Sequence, residues 1–194
     1  HAQAGVEAVL AGQQTQVGHY SSAAKPLIVR AADGRVIKSV PVSAFRERVE
    51  LRFTPPTTGF YTLEVSVGAN AFVLLEANVP VAFETAKKAV GLIGSTGSLY
   101  AAVPKGTGLF AFGVSGEGDS ECVKATVYDP SGRAVWSRDA IAQPERYTAT
   151  DGEGAAGGLW RITFERPTRG VLEDFHVDAL GIPPYLFLHP DRYW

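Results

Sequence analysis

The chain has no methionine, one cysteine and no long apolar run, and each shortage narrows what it can be. Cys122 stands alone, so no internal disulfide exists, and its place at the start of an apolar stretch predicts a buried thiol. A chain without methionine does not begin at a start codon. It is expected to have lost a signal peptide or to be a piece of something longer, and both suit a secreted, extracellular or periplasmic protein. The longest apolar candidate, residues 70–83, is interrupted by Glu76, Asn78 and Pro80. It falls short of the ~20 residues a membrane-spanning helix needs, so no membrane partner is expected. With 18 basic residues against 20 acidic ones the chain lacks material for a basic face, so no nucleic-acid partner is expected either. The four histidines, His1, His19, His176 and His189, show no His-x-x-x-His spacing, and Cys-x-x-Cys is missing. That removes the sequence case for zinc. Neither a Gly-x-Ser-x-Gly elbow nor a Gly-x-x-x-x-Gly-Lys phosphate loop occurs, and no catalytic residue is assigned.

What the chain does have is turns. From Val123 to Ser137 it reads strand, tight turn, strand: Lys124, Thr126 and Tyr128 alternate with Val123, Ala125 and Val127. Asp129-Pro130-Ser131-Gly132 then supplies the reversal, with proline presetting φ, aspartate bonding to backbone downstream and glycine taking positive φ. The same grammar occurs earlier, where residues 27–31 precede Asp33-Gly34 and residues 35–40. Strands with one wet face are also predicted at 48–53 and 60–65, with further strands at 6–10, 13–16 and 71–75. In the second half, residues 98–106 can be laid on 5–12, 158–164 on 59–65 and 171–177 near 72–77. The offset stays between about 93 and about 99 residues, which predicts an internal repeat. No helix is expected beyond a turn or two around residues 83–88. The predicted fold class is therefore all-β: two tandem β-sandwich domains, jelly-roll or immunoglobulin-like, arising from an internal duplication. Their expected bounds are residues 1–85 and 98–194, with 86–97 as a short linker.

The second half opens a strand with an aromatic and closes it in Val103-Pro104-Lys105-Gly106, continues with Tyr128-Asp129-Pro130-Ser131-Gly132, and follows with Gly158-Leu159-Trp160-Arg161-Ile162. In these features it resembles the pre-peptidase C-terminal type of β-sandwich, carbohydrate-binding-module-like domains of secreted bacterial hydrolases. The first half matches more loosely, with Ala31-Ala32-Asp33-Gly34 where Asp-Pro is expected. The resemblance implies a non-catalytic accessory role: binding a polysaccharide, or packing against a catalytic domain in the same polypeptide or complex. Members that bind calcium carry an acidic cluster near the first strands, which is not matched here residue by residue.

Three groups of residues are candidates for chemistry. Tyr128 and Trp136 flank one turn, and the register decides whether they share a face. A plain two-residue turn sets Trp136 opposite Ala125 on the core side; one bulged residue moves it to the solvent face beside Tyr128. On a shared face they would stack sugar rings, with Trp194 at the C-terminus as a third aromatic. Trp160 and its counterpart Tyr61 read instead as packing positions. Glu117, Asp119 and Glu121 alternate in a glycine-rich loop and could hold calcium or simply stay solvated. Glu173, Asp174 and Asp178 are carboxylates without a placed partner for acid–base work. His1 offers an amine and an imidazole that, with a second histidine, would suit copper as in copper polysaccharide monooxygenases; a remnant of an affinity tag or an arbitrary boundary explains it more cheaply. The expected function is a polysaccharide-binding accessory module of a secreted bacterial glycan-degrading enzyme, with a structural spacer second and a copper oxidase third.

Overall fold

The computed structural model describes residues 1–20, 24–118, 120–150 and 152–192. Among them the chain is all β with no helix, and it divides into two compact units, residues 1–81 and residues 82 onward.

In the first unit the strands are β1 (Ala8–Thr15), β2 (Leu27–Ala31), β3 (Val36–Val40), β4 (Val49–Phe53), β5 (Tyr61–Glu64) and β6 (Ala71–Ala77). They form two antiparallel sheets, ordered β4-β1-β6 and β3-β2-β5. Period-two patterning decides which side faces inward. In β4 the side chains of Val49, Leu51 and Phe53 are buried while Glu50 and Arg52 are exposed. Leu10 from β1 and Leu27 and Val29 from β2 join them in one apolar core. One polar side chain is buried with both ends satisfied: Gln14 Nε2 donates to the Lys25 carbonyl at 2.6 Å, and Lys25 N–H donates to Gln14 Oε1 at 3.2 Å. That pair of bonds ties the approach to β2 onto β1.

The second unit comprises β7 (Ala82–Glu84), β8 (Val90–Ile93), β9 (Ser98–Val103), β10 (Ala111–Gly116), β11 (Val123–Tyr128), β12 (Ala134–Ile141), β13 (Glu145–Thr148), β14 (Gly158–Glu165), β15 (Asp174–Leu180) and β16 (Tyr185–Phe187). Its sheets are ordered β13-β10-β15-β8 and β12-β11-β14-β9-β16-β7. Phe112, Val114, Phe175 and Val177 from one sheet meet Val127, Trp160, Ile162 and Phe164 from the other in a single core. Trp160 is a packing residue, enclosed edge-on by Phe110 at 5.0 Å and tilted against Tyr147 at 5.8 Å. Cys122 is buried, as its position predicted.

The pairing of six strands recurs. The arrangement β4-β1-β6 over β3-β2-β5 reappears as β13-β10-β15 over β12-β11-β14. By this criterion the counterpart of β1 is β10, not the 98–106 stretch laid on it from sequence. That stretch is β9, an additional strand between β14 and β16. Residues 86–97 also depart from expectation. Rather than a linker they contain β8, paired with β15 from Val90↔Val177 to Ile93↔Asp174, because Leu92 is buried in the second core. Likewise β7 stands where a helical turn was expected, held by β16.

The turn after β11 forms as its residues dictate. Gly132 takes φ 85°, and Asp129 Oδ1 accepts from Ser131 Oγ (2.6 Å), Ser131 N–H (2.9 Å) and Arg133 N–H (3.0 Å). Arg133 Nε donates to Oδ2 at 3.1 Å. With the Ser131 hydroxyl foremost, these donors hold the Asp129 carboxyl down at about 2. Because that value lies below the ordinary carboxyl range, the stabilisation is complete above about pH 4 and fades as pH falls through about 2. Asp129→Ala is expected to lower Tm at neutral pH, and thermal scans down the pH scale should show the gap to the parent closing toward about pH 2. A gap that persists there would mean the carboxylate is not the source.

Candidate functional site

The outer side of β10 and β15 in the second unit carries a cleft. Its making follows from the core. With Phe112, Val114, Phe175 and Val177 inward, the alternate residues Gly113, Ser115, Asp174, His176 and Asp178 must face out. The register sets them in rows. Arg146 on β13, Gly113 on β10 and Asp178 on β15 lie side by side, and in the next row Ser115 lies beside His176 and His176 beside Gly91. The middle position of the first row has no side chain of its own, the Asp178 carboxyl lies over it, and the row lines a cleft of about 280 Å³.

Gly113 is required at the floor. Its N–H donates to Asp178 Oδ1 at 3.0 Å, and a Cβ there would collide with that same oxygen. On the far side the His176 ring leans over Gly91, where an added Cβ would lie 3.5 Å from Nε2. Arg146 and Asp178 line the same space, and among the described residues no ion pair joins them. The neighbouring acid, Glu145, is engaged by Arg138 at 3.3 Å. The cleft is therefore lined by Arg146, joined to no acid among the described residues, by Ser115 and by Asp178, a guanidinium, a hydroxyl and a carboxylate. Such a set suits a small, hydroxyl-rich ligand that both donates and accepts.

The outer face of β15 continues into an acidic end. Carboxylate oxygens of Glu117, Glu121 and Asp174 lie within 4.8 Å of one another. A parallel bridge between Glu121 and Val171 brings the β10–β11 loop to the start of β15. Burial, then the Asp174, Glu173 and Glu117 carboxylates, push the Glu121 carboxyl above its ordinary value. Burial, then Glu117 and Glu173, do the same to Asp174, opposed by His176. Two of the three acids flagged in this loop are thus brought together; Asp119 lies outside the described residues. Asp174 is the member that local sequence could not supply. The trio offers hard oxygen ligands of the kind calcium takes.

The aromatic pair separates. The turn adds one residue, pairing Tyr128 with Ala134, and a second irregularity at Val135 pairs Val127 with Trp136. Two offsets cancel in parity, so Trp136 returns to the core side and packs against the rim of the core. Tyr128 alone faces outward, with the Arg161 guanidinium 4.1 Å from its ring centre. Trp194 lies outside the described residues. His1 stands with its ring edge-on to Phe60 at 5.3 Å, its amino group donating to the Pro80 carbonyl at 3.1 Å. Glu173 is exposed, while Asp174 and Asp178 share the outer face of β15 four residues apart, about 13 Å along the strand.

A carboxyl whose folded value is raised costs stability above that value, and the cost is relieved as pH falls through it. Glu121→Gln should accordingly raise Tm at neutral pH in chelator and low salt. The gain should shrink as pH approaches the carboxyl range, and also with added salt. Calorimetry of the two proteins checks this; a lower Tm for the variant at neutral pH would contradict it.

No family profile matches the chain, and no curated protein does. Solved structures to which it is similar include infectious bursal disease virus, Gx strain, at 10% identity with TM-score 0.23, covering 94% of this chain and 59% of that one. The VP2 subviral particle of the same virus is similar at 10% identity with TM-score 0.27, covering 97% and 57%. The chain spans less than two thirds of the length of these proteins.

Proposed function

We propose that the chain is a non-catalytic glycan-binding accessory module of a secreted bacterial polysaccharide-degrading enzyme, and that the cleft over Gly113 is where it holds sugar. The observation that carries this is the open Arg146–Gly113–Asp178 row. Arg146 and Asp178 line one space of roughly 280 Å³, just under the lower bound of about 300 Å³ for small-ligand sites, and among the described residues no ion pair closes it. Sugar hydroxyls both donate and accept, so vicinal hydroxyls can satisfy Arg146 and Asp178 together, and fork-like side chains suit such bidentate contact. Tyr128, on the other sheet's outer face, remains the alternative stacking position. The recurrence of the six-strand pairing is in keeping with a duplicated unit, as tandem accessory modules have.

Affinity electrophoresis on a panel of soluble and insoluble polysaccharides tests the proposal. Retention of the parent should weaken by about tenfold in Arg146→Ala, whose charged hydrogen bonds are worth about 1.5 kcal/mol or more. Tyr128→Ala should bind as the parent does. Loss in Tyr128→Ala alone would move the site to the other sheet, and no retention on any glycan would leave a structural spacer.

A further inference from the structure

We infer that the cleft over Gly113 selects glycans bearing free amino groups, 2-amino-2-deoxy sugars in their ammonium form, over neutral or carboxylated ones. This deepens the glycan-binding reading and rests on it.

The inference begins with Asp178. One of its oxygens is taken by the Gly113 N–H, at 3.0 Å; the residue lines the cleft, and among the described residues its carboxylate is joined to no cation. A ligand settling over Gly113 removes water from that carboxylate. Covering a carboxylate is costly unless a donor replaces the lost water, and a cationic donor replaces it best. Gly113 matters a second time here, because without a Cβ the Asp178 carboxyl can lie directly over the strand, where its oxygen accepts the Gly113 N–H and its position is fixed before a ligand arrives.

Arg146 argues for hydroxyls beside that ammonium. It is exposed at the rim, joined to no acid among the described residues, and its fork can donate to neighbouring ring oxygens. Taken alone it would equally welcome a sugar carboxylate. The rest of the face opposes one. The outer side of β15 carries Asp174 beyond His176, with Glu117 and Glu121 at the same end, and the Asp174 and Glu121 carboxyls are already pushed up by burial and by neighbouring acids. A uronate would add negative charge against Asp178 and into that field. An N-acetylated sugar would bring an amide where the unpaired oxygen calls for a cation. A protonated amino sugar gives Asp178 its counter-charge and Arg146 its hydroxyl acceptors at once.

Isothermal titration of the full chain at mildly acidic pH, with the amine protonated, compares three oligosaccharides of equal length: a glucosamine oligomer, its N-acetylated form and a uronate oligomer. The glucosamine oligomer should bind about tenfold more tightly than the acetylated form, the difference of one charge-assisted hydrogen bond. In Asp178→Asn that preference should vanish, the glucosamine oligomer losing about tenfold more affinity than the acetylated one. Asparagine keeps an oxygen for the Gly113 N–H, so the change removes charge with little else, and an unchanged Tm confirms it. Equal affinity for the first two oligomers, a preference for the uronate, or a preference that survives Asp178→Asn would overturn the inference and leave glycan binding standing. Failure of all three oligomers to bind, with no retention on the polysaccharide panel, would remove the glycan-binding reading with it.

Discussion

Every outward-facing group at the cleft stands where it does because Phe112, Val114, Phe175 and Val177 have to point the other way. The side-chain period of a strand is two, so a one-residue slip of β15 would send Phe175 and Val177 into water and drive Asp174, His176 and Asp178 into the core. The apolar side of that exchange costs about 2 kcal/mol for each large side chain. The polar side costs more, several kcal/mol for each carboxylate buried without a partner. Both penalties act in the same direction. The register that packs the core is thus the register that lines up Arg146, Gly113 and Asp178, and chemistry on this face is a by-product of packing.

Glycine in the middle of a central strand runs against that economy. It contributes no packing, and its backbone loses more freedom on folding, about 0.5–1 kcal/mol relative to alanine. Gly113 is flanked by β13 and β15 and so occupies the best-supported position in its sheet. Asp178 accounts for it only in part: the carboxylate takes the Gly113 N–H because no Cβ is in the way, which fixes one oxygen and leaves the other turned to the cleft. A side chain at 113 would meet the Asp178 carboxyl and displace it. The held carboxylate therefore comes from a single residue choice.

How much of this could be read from the chain alone depended on whether the signal was local. Strand β2 and the hairpin turns were legible, because alternation and the Asp-Pro-Ser-Gly and Asp-Gly turns are written in adjacent residues. Strand β10 was not, since Ala111-Phe112-Gly113-Val114 mixes a core pair with a glycine that breaks the alternation. Residues 90–93 read as linker because a four-residue strand beside Gly94 and Gly97 looks like loop until β15 is available to pair with it. The side on which Trp136 falls needed the sum of two register offsets, and only the first, at the turn, had a residue signal. In the acidic end Glu117 and Glu121 were visible as neighbours, while Asp174 arrives through a bridge spanning fifty residues. The cleft itself, assembled from β10, β13 and β15, had no contiguous signature at all.

Amide chemical-shift mapping by NMR, as a soluble glucosamine oligomer is titrated into the intact chain, tests the location of the site most directly. Placement in the cleft predicts that the largest saturable shifts gather at Gly113, Ser115, Arg146, His176 and Asp178, while Tyr128 and Arg161 stay still. Shifts centred on Tyr128, Arg161 and Tyr100 would contradict it, because they would put the ligand on the other sheet, away from the face that carries Gly113 and Asp178.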